Sequence, residues 1–182
     1  MKINEILSFG VYKNEAIDWE IKEIKDDKIF LVTKNIIDSK PFDTNINVSK
    51  YGNNKWIDSE LRKWLNTDFY NNAFSDEEKS KILLTDLQDV NSKDKVFLLS
   101  DDEVYKYYLH DSDRVKQGTI YAKNNGLWLK EDGEYAGNSF WWLRSTVGTS
   151  GIYAVYYNGD CDYFVPNSKN TGVVCGIIIS KV

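Results

Sequence analysis

Over the first forty residues the apolar positions read as strands, with no helical period. Ile17, Trp19 and Ile21 interleave with Asp18 and Glu20, the pattern of a half-buried strand. Ile6 to Tyr12 is apolar without a helical period. Lys25-Asp26-Asp27-Lys28 is a polar turn, and the β-branched run from Ile29 to Ile37 supplies a hairpin partner for the strand before it. Pro41 ends the pattern. The period then changes. Leu61, Trp64 and Leu65 recur at helical spacing behind a cap at Asp58 or Ser59. Ser75-Asp-Glu-Glu78 and Ser100-Asp-Asp-Glu103 read as capping boxes, each a serine followed three positions later by a glutamate. The first predicts a helix to about Leu84, the second a helix through Val104, Tyr107 and Tyr108, with Val96 to Leu99 as a short strand between them.

From Asp111 to Asn138 the chain is polar and glycine-punctuated. It predicts long loops, with one short strand at Leu127 to Leu129. Strand patterns return at Phe140 to Leu143, at Ile152 to Tyr157 and at Cys161 to Val165. The last two flank Asn158-Gly159, a dipeptide that predicts a hairpin with a type I′ turn. Val173 to Ile179 is an apolar closing strand. Strands, then helices, then strands again, with no linker and no repeat, predict one α+β domain over residues 1–182.

Composition narrows the function classes. The net charge is -5 and the chain has three arginines, a poor basis for gripping a nucleic-acid backbone. No run approaches the ~18 apolar residues of a membrane helix, and MKINEILSFG carries no signal-peptide pattern. Cytoplasmic synthesis without membrane insertion is expected. Catalytic residue types are scarce, with one histidine, His110, read as a solvated surface group, and two cysteines, Cys161 and Cys175, read as packed thiols. Their spacing fits no familiar transition-metal site. Asp101, Asp102 and Glu103 complement a helix dipole and are not read as an acid/base pair. Aromatic residues are the unusual asset: six Trp, twelve Tyr and eight Phe.

Several blocks, taken in order, resemble a known pattern. These are Trp56-Ile-Asp-Ser-Glu-Leu-Arg-Lys-Trp-Leu-Asn66, Ala73-Phe74-Ser75, Asp94-Lys-Val-Phe-Leu-Leu-Ser100, Trp141-Trp-Leu-Arg-Ser145 and Gly172-Val173. They resemble an uncharacterised domain family of gut bacteria and their prophages, whose members carry a WWLRS block, a hairpin with a central glycine and a GVRPAL ending. Here Gly172-Val-Val-Cys-Gly176 replaces that ending. The resemblance implies a C-type-lectin-like fold, related to formylglycine-generating enzymes and to the variable proteins of diversity-generating retroelements. In that architecture an N-terminal β-hairpin and two to three helices carry C-terminal antiparallel strands, whose exposed face binds the ligand. Adenine-directed mutagenesis of AAC or AAT codons cannot produce Lys, Glu, Gln, Met or Trp, and none of these occurs from Leu143 to Ser168.

The candidate ligand-binding residues are Tyr153, Tyr156, Tyr157, Asp160, Asp162, Tyr163 and Phe164, within a ligand-facing stretch from about 145 to 170. Tyrosine supplies rigid amphipathic contact area at low entropic cost. The same residues would equally suit an aromatic core face. If Tyr156 and Tyr157 continue a strand, they point to opposite faces. Trp142 is read as core, and Trp141 as core or ligand platform. Calcium needs several hard oxygens; Val165-Pro166-Asn167 lacks the lectin carboxylate, so no metal and no cofactor are expected. The functional expectation is a non-enzymatic module binding a protein or glycan, associated with a phage or cell surface. Two rivals remain: a formylglycine-generating-type enzyme, which would need Cys161 and Cys175 reactive and close together, and a structural subunit of a phage tail or surface assembly.

Overall fold

Strands from the two ends of the chain meet in one sheet. In the computed structural model, which describes residues 1–181, β1 (Ile6–Tyr12), β2 (Glu15–Lys25) and β3 (Lys28–Thr33) form a meander, and the last strand, β11 (Gly176–Ser180), pairs antiparallel with β3. Lys13 and Asn14 turn the first hairpin with φ of 51° and 65°, the left-handed pair a two-residue hairpin loop needs. A second, five-stranded sheet has the order β4 (Asp38–Ser39), β10 (Gly172–Val173), β7 (Trp141–Val147), β8 (Gly151–Val155), β9 (Cys161–Phe164). Its β10–β7 contact is parallel and its other contacts are antiparallel. A two-stranded ribbon, β5 (Thr85–Leu87) and β6 (Ser92–Asp94), stands apart from both. The protein is therefore mixed α+β, with more strands than helices.

The three expected helices lie in their expected places. Ser59 Oγ accepts from Arg62 N–H and starts α1 (Glu60–Trp64), which continues as a π-helical turn over Leu65–Phe69 and then α2 (Tyr70–Ala73). The wider turn keeps both Leu65 and Phe69 fully buried. Both capping boxes form, before α3 (Asp76–Lys81) and α4 (Asp101–Tyr107). Trp19, Trp56, Trp141 and Trp142 are all fully buried in the core.

Other expectations need correction, and each has a local cause. The run to Ile37 stops being a strand at Thr33, because Lys116 Nζ takes the carbonyls of Thr33 and Lys34 at 2.9 and 3.0 Å and turns the chain. The helix expected to reach Leu84 ends at Lys81, where Ile82 bridges Ile179 and Leu83 N–H donates to Ile178 C=O. Val96 to Leu99 is buried but is not a strand. Phe97 bridges Gly176 and Leu99 C=O accepts from Arg144 N–H; Asn66 serves the main chain at Lys95 and Val96, and the Arg144 guanidinium takes Leu98 C=O. The segment read as loops contains two single-turn helices, α5 (Asp111–Arg114) and α6 (Ile120–Asn124). Thr119 caps α6, while Glu15, far away in sequence, accepts from the N–H groups of Ile120 and Tyr121. Leu127 to Leu129 forms no strand; Trp128 N–H donates to Asn170 C=O instead. Among the described residues no helix is long and apolar enough to cross a membrane.

Candidate functional site

The site is built on the paired tryptophans of β7. Adjacent strand residues point to opposite faces, and here both faces are covered. Trp141 Nε1 donates to Arg114 C=O at 3.1 Å, and Trp142 Nε1 to Lys40 C=O at 2.8 Å. Trp141 is thus core as fully as Trp142 and offers no ligand platform. Arg144, two residues on, is 3% exposed; its guanidinium pairs with Asp89 at 2.8 and 3.1 Å and with Glu103 at 2.6 Å.

Next to β7, the β8–β9 hairpin has Ile152 opposite Phe164, Tyr153 opposite Tyr163, Ala154 opposite Asp162 and Val155 opposite Cys161. Directly opposed residues share a face, so the candidates divide. Tyr153 and Tyr163 occupy one face, with Tyr163 59% exposed. Tyr105 of α4 lies on this side, its hydroxyl beside the Cys161 thiol and the Arg114 guanidinium 4.7 Å over its ring. Phe164 and Asp162 point to the other face.

The turn also differs from expectation. Gly159 has φ of 93° but Asn158 is not left-handed. Gly159 N–H donates to Tyr156 C=O at 2.9 Å and Tyr156 N–H to Asp160 C=O at 2.7 Å, the pattern of a three-residue loop closed by a left-handed glycine. Tyr156 and Tyr157 therefore leave the strand and do not oppose each other: both pack against Phe140, at centroid distances of 4.8 and 5.8 Å.

Around Phe140 a half-buried aromatic face assembles. Phe164 stacks on it at 5.4 Å and Trp128 lies at 4.6 Å; Trp128 and Tyr135 both reach Tyr157, at 5.7 and 6.2 Å. Of the sequence candidates, Tyr156, Tyr157 and Phe164 meet here, with the carboxylate of Asp162 beside Tyr156. Burial, then that carboxylate, raises the Tyr156 hydroxyl above its usual range. Asp160 is exposed at the turn, where Asn158 Nδ2 donates to its carboxylate. Trp128, Tyr135 and Phe140 are the residues sequence reading missed. For Trp128 and Tyr135 the signal was an aromatic side chain inside a polar, glycine-rich stretch, a placement that a loop alone does not require; Phe140 was read only as the start of a strand.

The edge strand beside this face is covered by its own side chains. Tyr163 N–H donates to the Asp162 carboxylate at 2.7 Å, and Tyr163 C=O accepts from the Tyr156 hydroxyl at 3.0 Å. An edge strand with open main-chain groups templates pairing with other chains; at its central residue this one does not. Both cysteines are free. Cys175 is fully buried and burial pushes its thiol far above the usual range, which leaves it inert; burial also raises Cys161. Among the described residues no three His, Cys, Asp or Glu side chains gather as metal ligands. His110 is exposed.

A protein-family profile described as "Domain of unknown function (DUF6273)" matches residues 26–179. No curated protein matches the chain, and no solved structure does.

Proposed function

The chain belongs to the DUF6273 family, and from that premise we propose that it is a non-enzymatic binding module of C-type-lectin-like fold, whose ligand is a protein seated on the Phe140-centred aromatic face. The observation that supports this is the convergence of Trp128, Tyr135, Phe140, Tyr156, Tyr157 and Phe164 on one half-exposed surface, rimmed by Asn158, Asp160 and Asp162. Aromatic anchors with a polar rim are the anatomy of protein interfaces, and Tyr and Trp dominate their binding energy. The rings hold one another in place, so little rotamer entropy is lost on contact.

On this reading the stretch from Leu143 to Ser168 is the variable segment of a diversity-generating retroelement protein, acting at a phage or cell surface. It contains Tyr156, Tyr157 and Phe164, while Trp128 and Phe140, outside it, form a fixed floor. The test is selection of a displayed random-peptide library on the immobilised full chain, with a glycan array in parallel. Selected peptides should lose binding to Trp128→Ala and Tyr157→Ala variants that retain the wild-type melting temperature. Peptides that bind those variants as well as wild type, or ligands found only on the glycan array, would overturn it. The coding DNA adds an independent check: a nearby template repeat differing only at adenines is expected over codons 143–168.

A further inference from the structure

Sharing no residue with the aromatic face, a cleft of about 490 Å³ opens between the tip of the β1–β2 hairpin, the segment after β4, the π-helical turn and α6. Its volume falls within the range of small-molecule sites. We propose that it binds the ring of an acidic sugar, a carboxylated monosaccharide unit carrying one negative charge.

Three kinds of group converge there. The walls are aromatic: Tyr12 stands edge-on to Tyr121 at 5.6 Å and 86°, and to Trp64 at 6.1 Å and 78°. These rings pack on one another and shape a cleft whose exposed lining is mostly polar. Two ammonium groups lie over these walls. Lys13 Nζ is 5.3 Å from the Tyr121 centroid and 5.7 Å from that of Tyr12, and Lys40 Nζ is 4.7 Å from that of Trp64. Among the described residues Lys13 makes no ion pair, and the carboxylate near Lys40 is Asp38, at 3.9 Å. Asp38 is fully buried behind the cleft and already accepts from the Tyr12 hydroxyl at 2.8 Å and the Asn125 amide at 2.7 Å. Each ammonium thus retains donors for an anion.

The third kind is at the mouth. Asp68 and Asn72 sit one helical turn apart and are exposed; Asn72 Nδ2 donates to Asp68 C=O at 2.7 Å, which leaves the Asp68 carboxylate and the Asn72 amide oxygen facing outward as acceptors. They call for hydroxyl donors on the ligand. Asp68 also repels a second negative charge, as does the net charge of -5, so a polyphosphate or a nucleic acid fits poorly. A hydroxylated ring carrying a single carboxylate meets the demands of the two ammonium groups and of the mouth. The left-handed turn at Lys13 and Asn14 holds the first ammonium over the opening.

The test is calorimetric titration of the full chain with methyl glucuronide and N-acetylneuraminate, against methyl glucoside and inorganic phosphate. Saturable binding of at least one acidic sugar is expected, roughly tenfold tighter than the glucoside, since one charge-assisted contact is at stake. Lys13→Asn keeps a residue that tolerates the left-handed turn and removes the ammonium. It and Lys40→Gln should each weaken binding about tenfold without moving the melting temperature. Trp128→Ala, outside the cleft lining, should leave it unchanged. No saturable binding of either acidic sugar, equal affinity for the glucoside, displacement by equimolar phosphate, or indifference to Lys13→Asn would overturn the assignment.

Discussion

The Tyr156 hydroxyl donates to the carbonyl of Tyr163 at 3.0 Å, across the mouth of the β8–β9 hairpin. With Asp162 holding the N–H of the same residue at 2.7 Å, it covers both main-chain groups of Tyr163 on the edge strand β9. The aromatic face and the guard on the main chain of Tyr163 therefore share Tyr156.

Removing that guard should expose the edge. The double substitution Asp162→Ala and Tyr156→Phe frees both main-chain groups of Tyr163 while keeping the rings around Phe140 in place. Sedimentation velocity should show concentration-dependent self-association that wild type lacks. A double variant that sediments as wild type at all concentrations would mean that the edge is protected by something else.

Gly159 has no substitute. Its φ is 93°, and a Cβ there would lie 1.9 Å from the carbonyl oxygen of Asp111. Gly159→Ala must strain the turn and push α5 away, which should destabilise the protein by about 2–3 kcal/mol in urea unfolding. A loss no larger than that of an ordinary surface substitution would show that the hairpin tip relaxes freely.

Arg144 joins three parts of the fold: β7, the Asp89 turn between β5 and β6, and Glu103 at the start of α4. Its replacement by alanine leaves two carboxylates and the Leu98 carbonyl without their donor. The cost should be about 3 kcal/mol, below the upper end for buried pairs because Asp89 is 41% exposed. Arg144→Lys should restore less than half of it, since a point charge cannot reproduce the two-pronged contact with Asp89. Denaturant melts of both variants check this, and full rescue by lysine would refute the geometric argument.

Lys116 gives the protein an alkaline signature. Burial pushes its ammonium down to about 8, against the pull of Glu20, with Lys22 and Lys34 adding repulsion. The unfolded chain holds that proton to near its ordinary value of ~10.4. Between pH 8 and that value the unfolded state binds more protons, so this group's contribution to stability rises with pH, by at most about 1.4 kcal/mol per unit. Tyr108, beside it, is held far above its usual range by burial and by Glu20. Above pH ~10 the unfolded tyrosine ionises first, and its contribution runs the other way. Urea melts of wild type and Lys116→Met at pH 7.5 and 9.5 should diverge in favour of wild type as pH rises. Parallel curves would place the Lys116 titration outside this window.

The sequence by itself determined the elements whose signals are local. The alternation of Ile17, Trp19 and Ile21, the two capping boxes at Ser75 and Ser100, and the glycine-marked hairpin after Asn158 all formed where their residues indicated, because backbone hydrogen bonding and side-chain periodicity within a few residues suffice for them. Tertiary structure decided whatever depends on a distant partner. Lys116 ended β3, Glu15 helped start α6, and Asn66 with Arg144 satisfied the main chain at Val96 and Leu98 in place of a sheet ladder. The aromatic face divided in the same way. Tyr156, Tyr157 and Phe164 were legible as a cluster of rings in one hairpin. Their separation from Tyr153 and Tyr163, and their union with Trp128, Tyr135 and Phe140, followed from strand register and from where the chain between Gly126 and Asn138 folds back. A register is set by long-range packing, and a shift of one residue exchanges the two faces of a strand. Local pattern can therefore mark a cluster of aromatic side chains without saying which of them share a surface.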